Sequence, residues 1–443
     1  MYGCPNCGTR HEGKYCPECG TKRQDEKSCP NCGAIQENNV KFCTECGYAF
    51  PSGADRAVTQ PVFPPSKGLY YSAIKEKGKI TAYSVMKGVC TDQKITVAAE
   101  YNGKPVVAVS DSAFEGCSHL LSVILPDSVK EIGNYAFYGC TSLTSVKTGN
   151  LIKTVGRAAF YACASLTDFS FPDTLSEIGD HAFWGCVGLK RLSLSSEIKK
   201  IGNEAFFGCR ALAEICLPAN ITEIGNNAFT ACSEVKRIVV DQDNPNYKSV
   251  GNCLLSKDGK ILYSGCDNSI IPDGVTQIAG SAFYACNRLE RIIIPDGVQK
   301  IGNYAFAECE RLIGITVPDS VLTVGDSAFR NCRRLAVVTI GNNVTAIEGA
   351  AFYGCESLTG IAIPNSVEKI GYRAFFRCNR LERITIGGGV LSIGWEAFSA
   401  CAAPAHLRYI KTRENWESVC KGSRRSAFPE HYTVHCSDGD LIR

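Results

Sequence analysis

An Ala-Phe pair with Cys three residues after the Phe recurs twelve times, which confines the chain to architectures built by stacking one small unit. The phenylalanines stand at 114, 137, 160, 183, 206 and 229, then at 283, 306, 329, 352, 375 and 398. The step is 23 residues throughout, broken by one step of 54. In eleven of the twelve copies Leu or Val stands six residues after the Phe, and apolar residues follow at nine and eleven, as in Leu192 and Leu194 or Ile292 and Ile294.

The segment L-x-x-I-x-I alternates at period two and predicts a short strand with its apolar side inward. Six regular copies end it in proline (Pro126, Pro172, Pro218, Pro295, Pro318 and Pro364), which cannot donate to a ladder and begins a turn. A second apolar pair follows, such as Val129 and Ile132, then usually Gly and often Asn or Asp: Asn134, Asp180, Asn203, Asn226, Asn303 and Asp326. A short polar side chain just before x-x-Ala-Phe-x-x-Cys predicts an N-cap and one or two helical turns. One repeat is thus expected to be strand, turn and helical turn. Such a coil cannot bury its own apolar side, so coils stack into an α/β solenoid with a continuous parallel sheet.

The pattern C-x2-L-x2-I-x-I-P-x2-V-x2-I-G-x2-A-F-x2-C resembles the BspA-type (Treponema-type) leucine-rich repeat over roughly residues 68 to 443. The resemblance implies a right-handed solenoid arc used for protein binding, often at a bacterial surface.

Of the 26 cysteines, twelve form the repeat row and eight lie in the first 46 residues. A disulfide brings Cβ atoms to about 3.8 Å and turns them toward each other, whereas stacked row cysteines sit about 4.8 Å apart with parallel Cβ vectors. The row reads as a buried, reduced ladder. The N-terminal eight, Cys4, Cys7, Cys16, Cys19, Cys29, Cys32, Cys43 and Cys46, form two C-x2-C…C-x2-C sets. Thiolates at this spacing occupy two corners of a tetrahedron, and the glycine after Cys7, Cys19, Cys32 and Cys46 lets the chain turn around sulfur. They are similar to the double zinc-ribbon family and point to two structural Zn2+ ions, since four cysteines leave no position open for catalysis. A redox dithiol wants a βαβ context that these residues lack.

Domains are expected at 1–50 (double zinc ribbon), 51–66 (flexible linker), 67–112 (N-terminal β cap), 113–408 (repeat solenoid) and 409–443 (C-terminal cap). The long step marks an irregular insertion near 241–272, where Asp258-Gly259 between apolar runs signals a hairpin. Turns are expected at Lys75–Gly78 and Tyr101–Gly103, and Trp416 is expected to lid the last coil.

The net charge is +3, and residues 1–50 hold six Lys/Arg against six Asp/Glu, so neither nucleic acid nor an anionic membrane is a favoured partner. The start lacks the apolar core of a secretory signal and no run approaches a membrane span, which leaves a cytoplasmic protein as the expectation. The six histidines (His11, His119, His181, His406, His431 and His435) fall in no catalytic motif, and no phosphate loop or dinucleotide fingerprint occurs. A non-enzymatic protein-interaction scaffold is the leading reading; a nucleic-acid-associated ribbon factor and a surface adhesin are the alternatives. Candidate partner contacts lie on the outward strand row, at Arg191, Arg237, Arg291 and Arg383, and at the loop leading into the strand, at Arg288, Arg311, Arg334 and Arg380. Residues directly after the Phe (Tyr138, Tyr161, Trp184, Phe207, Tyr284, Tyr353 and Phe376) form a second row, expected to stack between coils.

Overall fold

Alternating side chains after each row cysteine produce the expected strand, with positions nine and eleven after the Phe inward and eight and ten outward. In Gly360–Ile363, for instance, Ile361 and Ile363 are buried while Gly360 and Ala362 are not. The coordinates are a computed structural model that describes residues 2–3, 10–11, 26–28, 35–37, 64–401, 406–421, 427–428 and 432–442. The eight N-terminal cysteines, residues 51–63 and His431 lie outside the described residues. Two units are present, Met1–Val62 and Phe63–Arg443.

In the second unit the coils build two parallel ladders. The first is built from the strands after the row cysteines, in the registers Ser122↔Ser145↔Asp168, Glu214↔Arg237, Gly314↔Val337 and Gly360↔Arg383↔His406. The second joins two-residue strands before the Ala-Phe pair, as in Ile132↔Val155↔Ile178↔Ile201. A single continuous sheet is the expectation, and here the structure corrects the sequence reading: the first ladder is in pieces, with residues 191–194 and 291–294 outside it and a further break between Val337–Ile340 and Gly360–Ile363. At the first gap the preceding coil carries Phe169 and Phe171 inward. Phe169 packs edge-on to Phe160 and Phe183, and these rings need more room than the β-branched residues of other coils. The second gap follows the insertion.

The expected helical turns are absent from the described repeats, and the reason lies in backbone sign. Two residues per coil take positive φ in all twelve copies: the one two before the Phe (Tyr135 at 56°, Glu204 at 52°) and the one two after it (Gly139 at 68°, Ala162 at 56°). Left-handed residues reverse every second peptide, so alternate N–H groups leave the coil. Ala136, Tyr138 and Cys140 donate to Gly133, Tyr135 and Phe137 of their own coil, while Tyr135, Phe137 and Gly139 donate to Arg157, Ala159 and Tyr161 of the next at 2.7–2.8 Å. A non-glycine residue in this region costs about 1–2 kcal/mol, which these cross-coil bonds offset. Four of the predicted N-cap residues, Asn134, Asp180, Asn203 and Asn303, belong to the same scheme: Asn134 Oδ1 accepts the Arg157 N–H at 2.8 Å, and Asn203 Oδ1 the Asn226 N–H at 2.8 Å. They cap the neighbouring coil. Glycine in the I-G step is steric, since a Cβ at Gly225 would lie 2.3 Å from the Asn203 nitrogen.

The interior is a column of rings and a column of thiols. Phe114 to Phe229, and Phe283 to Phe398, stack at centroid spacings of 4.9–5.6 Å. Phe428 extends the second stack at 4.9 Å, and fully buried Trp416, carried on helix α1 (Arg413–Lys421), leans on Phe428 and Tyr409. The row cysteines are free thiols. Each regular one donates Sγ–H to the carbonyl of the preceding coil's Phe, as Cys163 to Phe137 at 3.1 Å and Cys332 to Phe306 at 3.1 Å. Burial raises their pKa, to about 12 for Cys140 and Cys401, so they remain protonated donors and poor nucleophiles. Cys332→Ala is expected to cost about 1–3 kcal/mol by leaving a buried carbonyl unpaired, and Cys332→Ser, which keeps a donor, to cost less. Equal losses in urea unfolding would show that the thiol is only filler.

The insertion is a three-stranded meander, Tyr247–Val250, Cys253–Ser256 and Ile261–Ser264, with Gly259 at φ 81° in the expected hairpin turn. Its middle strand is a wall. Leu254 joins the apolar cluster of the N-terminal coils, while Cys253 and Leu255 join that of the C-terminal coils. Two cores result. A Cβ at Gly265 would meet the Phe283 ring at 2.0 Å, so the absence of a side chain there lets the second ring column begin against the wall.

Candidate interaction surface

The ladders hold the outward row in register, and its composition changes along the chain. Arg191, Arg291, Arg383 and His406 are exposed. Between Arg291 and Arg383 the row is uncharged (Gly314, Val337, Gly360), as are the positions two residues on (Ile293, Thr316, Thr339, Ala362). Residues 291–294, 296, 313–320, 337 and 339–342 line an open groove of about 950 Å3 here. Ile293 is 83% exposed and Val337 62%, so apolar area faces solvent here. Asp296 and Asp319 stand along the side where the strands end.

On the opposite side run the loop arginines. Arg288 contacts Glu234 at 2.6 Å and Arg311 contacts Glu290 at 3.9 Å; the unanticipated Arg333 contacts Glu310 at 3.8 Å. These pairs are half exposed and contribute little to stability. Arg291, Arg334 and Arg380 make no ion pair among the described residues, and Arg383 reaches only the Thr359 hydroxyl at 3.3 Å. Arg237 lies beside Glu214 in the ladder, near Cys216, whose thiol burial and Glu214 push up to about 11.

The second row stacks as expected except at Tyr284, which meets Phe207 tilted at 6.2 Å: Tyr138, Tyr161, Trp184 and Phe207 follow at 4.8, 4.5 and 5.5 Å, and Tyr353 meets Phe376 at 5.3 Å. Tyr372 and Trp395 were missed. They occupy the position three before the Phe where most coils carry Asn or Asp, they stack at 5.5 Å, and the Arg373 guanidinium lies 4.8 Å from the Tyr372 ring and 5.6 Å from the Trp395 ring. Two aromatics in a polar column were the available signal.

No catalytic constellation forms among the described residues. His435 Nδ1 lies 2.8 Å from Asp440 on the surface, and no group of three His, Cys, Asp or Glu side chains is placed to hold a metal. No described helix is long and apolar enough to cross a membrane.

In the first unit two antiparallel strand pairs are described, Tyr2–Gly3 with Arg10–His11 and Glu26–Ser28 with Ile35–Glu37. Cys4 and Cys29 each follow the first strand directly, and Cys7 and Cys32 each precede the second by three residues. Each of these C-x2-C pairs therefore falls in sequence between two paired strands, with a second C-x2-C later in the chain. Four thiolates per hairpin are a donor set that suits tetrahedral Zn2+.

Residues 107–236 and 276–404 match the BspA type leucine rich repeat region in six copies, and residues 4–47 match the double zinc ribbon. A leucine rich cell surface protein from Faecalibacterium prausnitzii is similar at 29% identity and TM-score 0.61, over 81% of this chain and 98% of that one. A leucine-rich repeat protein from Bacteroides ovatus is similar at 25% identity and TM-score 0.54, over 85% and 99%. The pneumococcal vaccine antigen PcpA shares the fold at 19% identity and TM-score 0.61, over 81% and 96%. Among curated proteins, Protein FraH of Nostoc sp. is 34% identical over 67 residues, 15% of this chain; the match spans about a quarter (23%) of that relative's length.

Proposed function

The chain belongs to the BspA-type leucine-rich repeat family, and on that premise we propose that it is a non-enzymatic scaffold whose outward strand face grips a partner protein. The N-terminal ribbons serve it as a second docking module. The observation that carries the reading is the contrast within each strand. Inward positions are Ile, Val, Leu or Phe except at Thr148 and Tyr409, while the outward row runs through Ser, Asp, Arg, Glu, Gly, Val and His at fixed spacing. A rigid frame presenting varied side chains is what recognition needs. The exposed Ile293 and Val337, with Arg291, which makes no ion pair among the described residues, supply an apolar anchor with charge at its rim.

In the ribbons, Cys4, Cys7, Cys16 and Cys19 would hold one zinc ion and Cys29, Cys32, Cys43 and Cys46 a second. Bound zinc supplies folding free energy to a module too short to build a core. The thiolates leave each centre acidic, which favours a protein over a phosphate backbone as its partner. A cytoplasmic location accords with these thiolate sites and with a row of unpaired thiols. Fractionating native cells separates this from the surface role described for the F. prausnitzii protein.

The test is capture from native extract. Replacing Arg291, Arg334 and Arg380 with Ser is expected to weaken capture roughly tenfold, with the circular dichroism spectrum unchanged. Undiminished capture at physiological salt overturns the assignment of that rim.

A further inference from the structure

The longer sheet of the N-terminal half ends in the strand Tyr70–Glu76, which pairs antiparallel with Lys79–Met86 through the turn at Lys77 and Gly78. On its other side no strand pairs with it among the described residues. On the open side alternate residues of this seven-residue strand present N–H and C=O groups that are a template for another strand, and sheet proteins usually blunt such edges with charge, bulges or a covering element. At the far end of the solenoid that protection is present: helix α1 packs on the last small strand, Ser392–Ile393, and the final hairpin strand, Gly439–Ile442, has four residues and carries Asp440. On Tyr70–Glu76 it is confined to one end, where Lys75 and Glu76 carry charge and the partner strand bulges opposite Ile74/Lys75. Tyr70, Tyr71, Ser72, Ala73 and Ile74 are uncharged and rich in strand formers, and Tyr70 is 57% exposed.

We infer that this edge binds a second copy of the chain, strand to strand and antiparallel, about a two-fold axis at Ala73. Charge placement selects both the direction and the occupant. An in-register parallel pairing would set Lys75 against Lys75 and Glu76 against Glu76, which opposes like charges. Antiparallel pairing about Ala73 sets Lys75 opposite Tyr71 of the second copy, Glu76 opposite its Tyr70, and Ser72 opposite its Ile74. Each copy's charged end meets the other's aromatic end, so the surface complements itself, as an isologous contact requires. Main-chain hydrogen bonds would supply the affinity, as in other strand additions. A contact of this length falls at the small end of protein interfaces, below about 1,200 Å2, so the dimer is weak and concentration-dependent. This surface is independent of the strand face proposed above, and the two can fail separately.

Sedimentation velocity of the full chain across a hundredfold concentration range tests it. A monomer–dimer equilibrium is expected; a monomer at every concentration overturns the inference. Ala73 is exposed, so Ala73→Lys and Ala73→Glu should each leave the melting temperature unchanged while placing like charges at the axis. Each variant alone is expected to stay monomeric. An equimolar mixture is expected to recover dimer, because Lys then faces Glu. Dimerisation unaffected by either change, or a mixture that stays monomeric, also overturns it.

Discussion

Phe206→Ala is expected to destabilise the solenoid by about 3 to 5 kcal/mol, the loss typical of a large side chain removed from a packed interior. Phe206 is fully buried, and its ring lies between Phe183 at 5.3 Å and Phe229 at 5.6 Å. Neither neighbour can close the gap, because each is fixed by backbone bonds to the coils beside it: the Phe206 N–H donates to Ala228, and the Phe183 N–H to Ala205. The damage should therefore spread along the stack, since a solenoid is held by nearest-neighbour interfaces. Hydrogen exchange is expected to quicken in the coils of Phe183 and Phe229, and to change little beyond the wall at Cys253–Ser256, where the interior divides. Exchange unchanged on both sides of residue 206 would contradict the stacked arrangement.

Elemental analysis of the full chain is expected to return two zinc ions, and none for a 67–443 fragment. Structural zinc binding of this kind contributes about 10–16 kcal/mol to its own module, so chelation should unfold the ribbons outright. Cys7→Ser removes one ligand of the first set and should halve the zinc content. The melting transition of the solenoid, which belongs to a separate unit, should stay where it was. Zinc retained by the 67–443 fragment, or a large shift of that transition in Cys7→Ser, would sink the assignment.

The period, the inward and outward faces, the reduced thiol row and the hairpin at Asp258-Gly259 were legible because each follows from residue type at a fixed offset. The turn around the Phe was not. Asn or Asp followed by x-x-Ala-Phe is a sound N-cap signature for an isolated segment, but here the side chain bonds 23 residues ahead, a distance local reasoning does not reach. Glycine at 116, 139, 185, 208 and 354 did mark one of the two left-handed positions; Ala162, Glu308 and Arg377 occupy it elsewhere and masked the signal. The wall was half legible. Its hairpin could be read, whereas its role in facing two interiors depends on Leu254 pointing one way and Cys253 and Leu255 the other, with core on both sides. The groove floor was hidden for a related reason. Gly314 is ordinary as a residue, and only the register that sets it beside Val337 makes a depression. At the rim, arginines 288 and 311 read identically to 334 and 380, and acidic neighbours from other coils separate them.

The cross-coil donors have a consequence for descent. Within the regular coils the bonds that leave the turn around the Phe run to a carbonyl 22 residues ahead, and the thiols reach one 26 residues back. Copying or losing one 23-residue stretch of coding sequence restores the same donors to equivalent acceptors, so the array can lengthen or shorten in whole units without new contacts having to be invented. Only the 54-residue step escapes that arithmetic. Tyr247–Ser264 makes bonds found in no other coil, so a lineage can vary the number of coils on either side of it while inheriting the wall as a single piece.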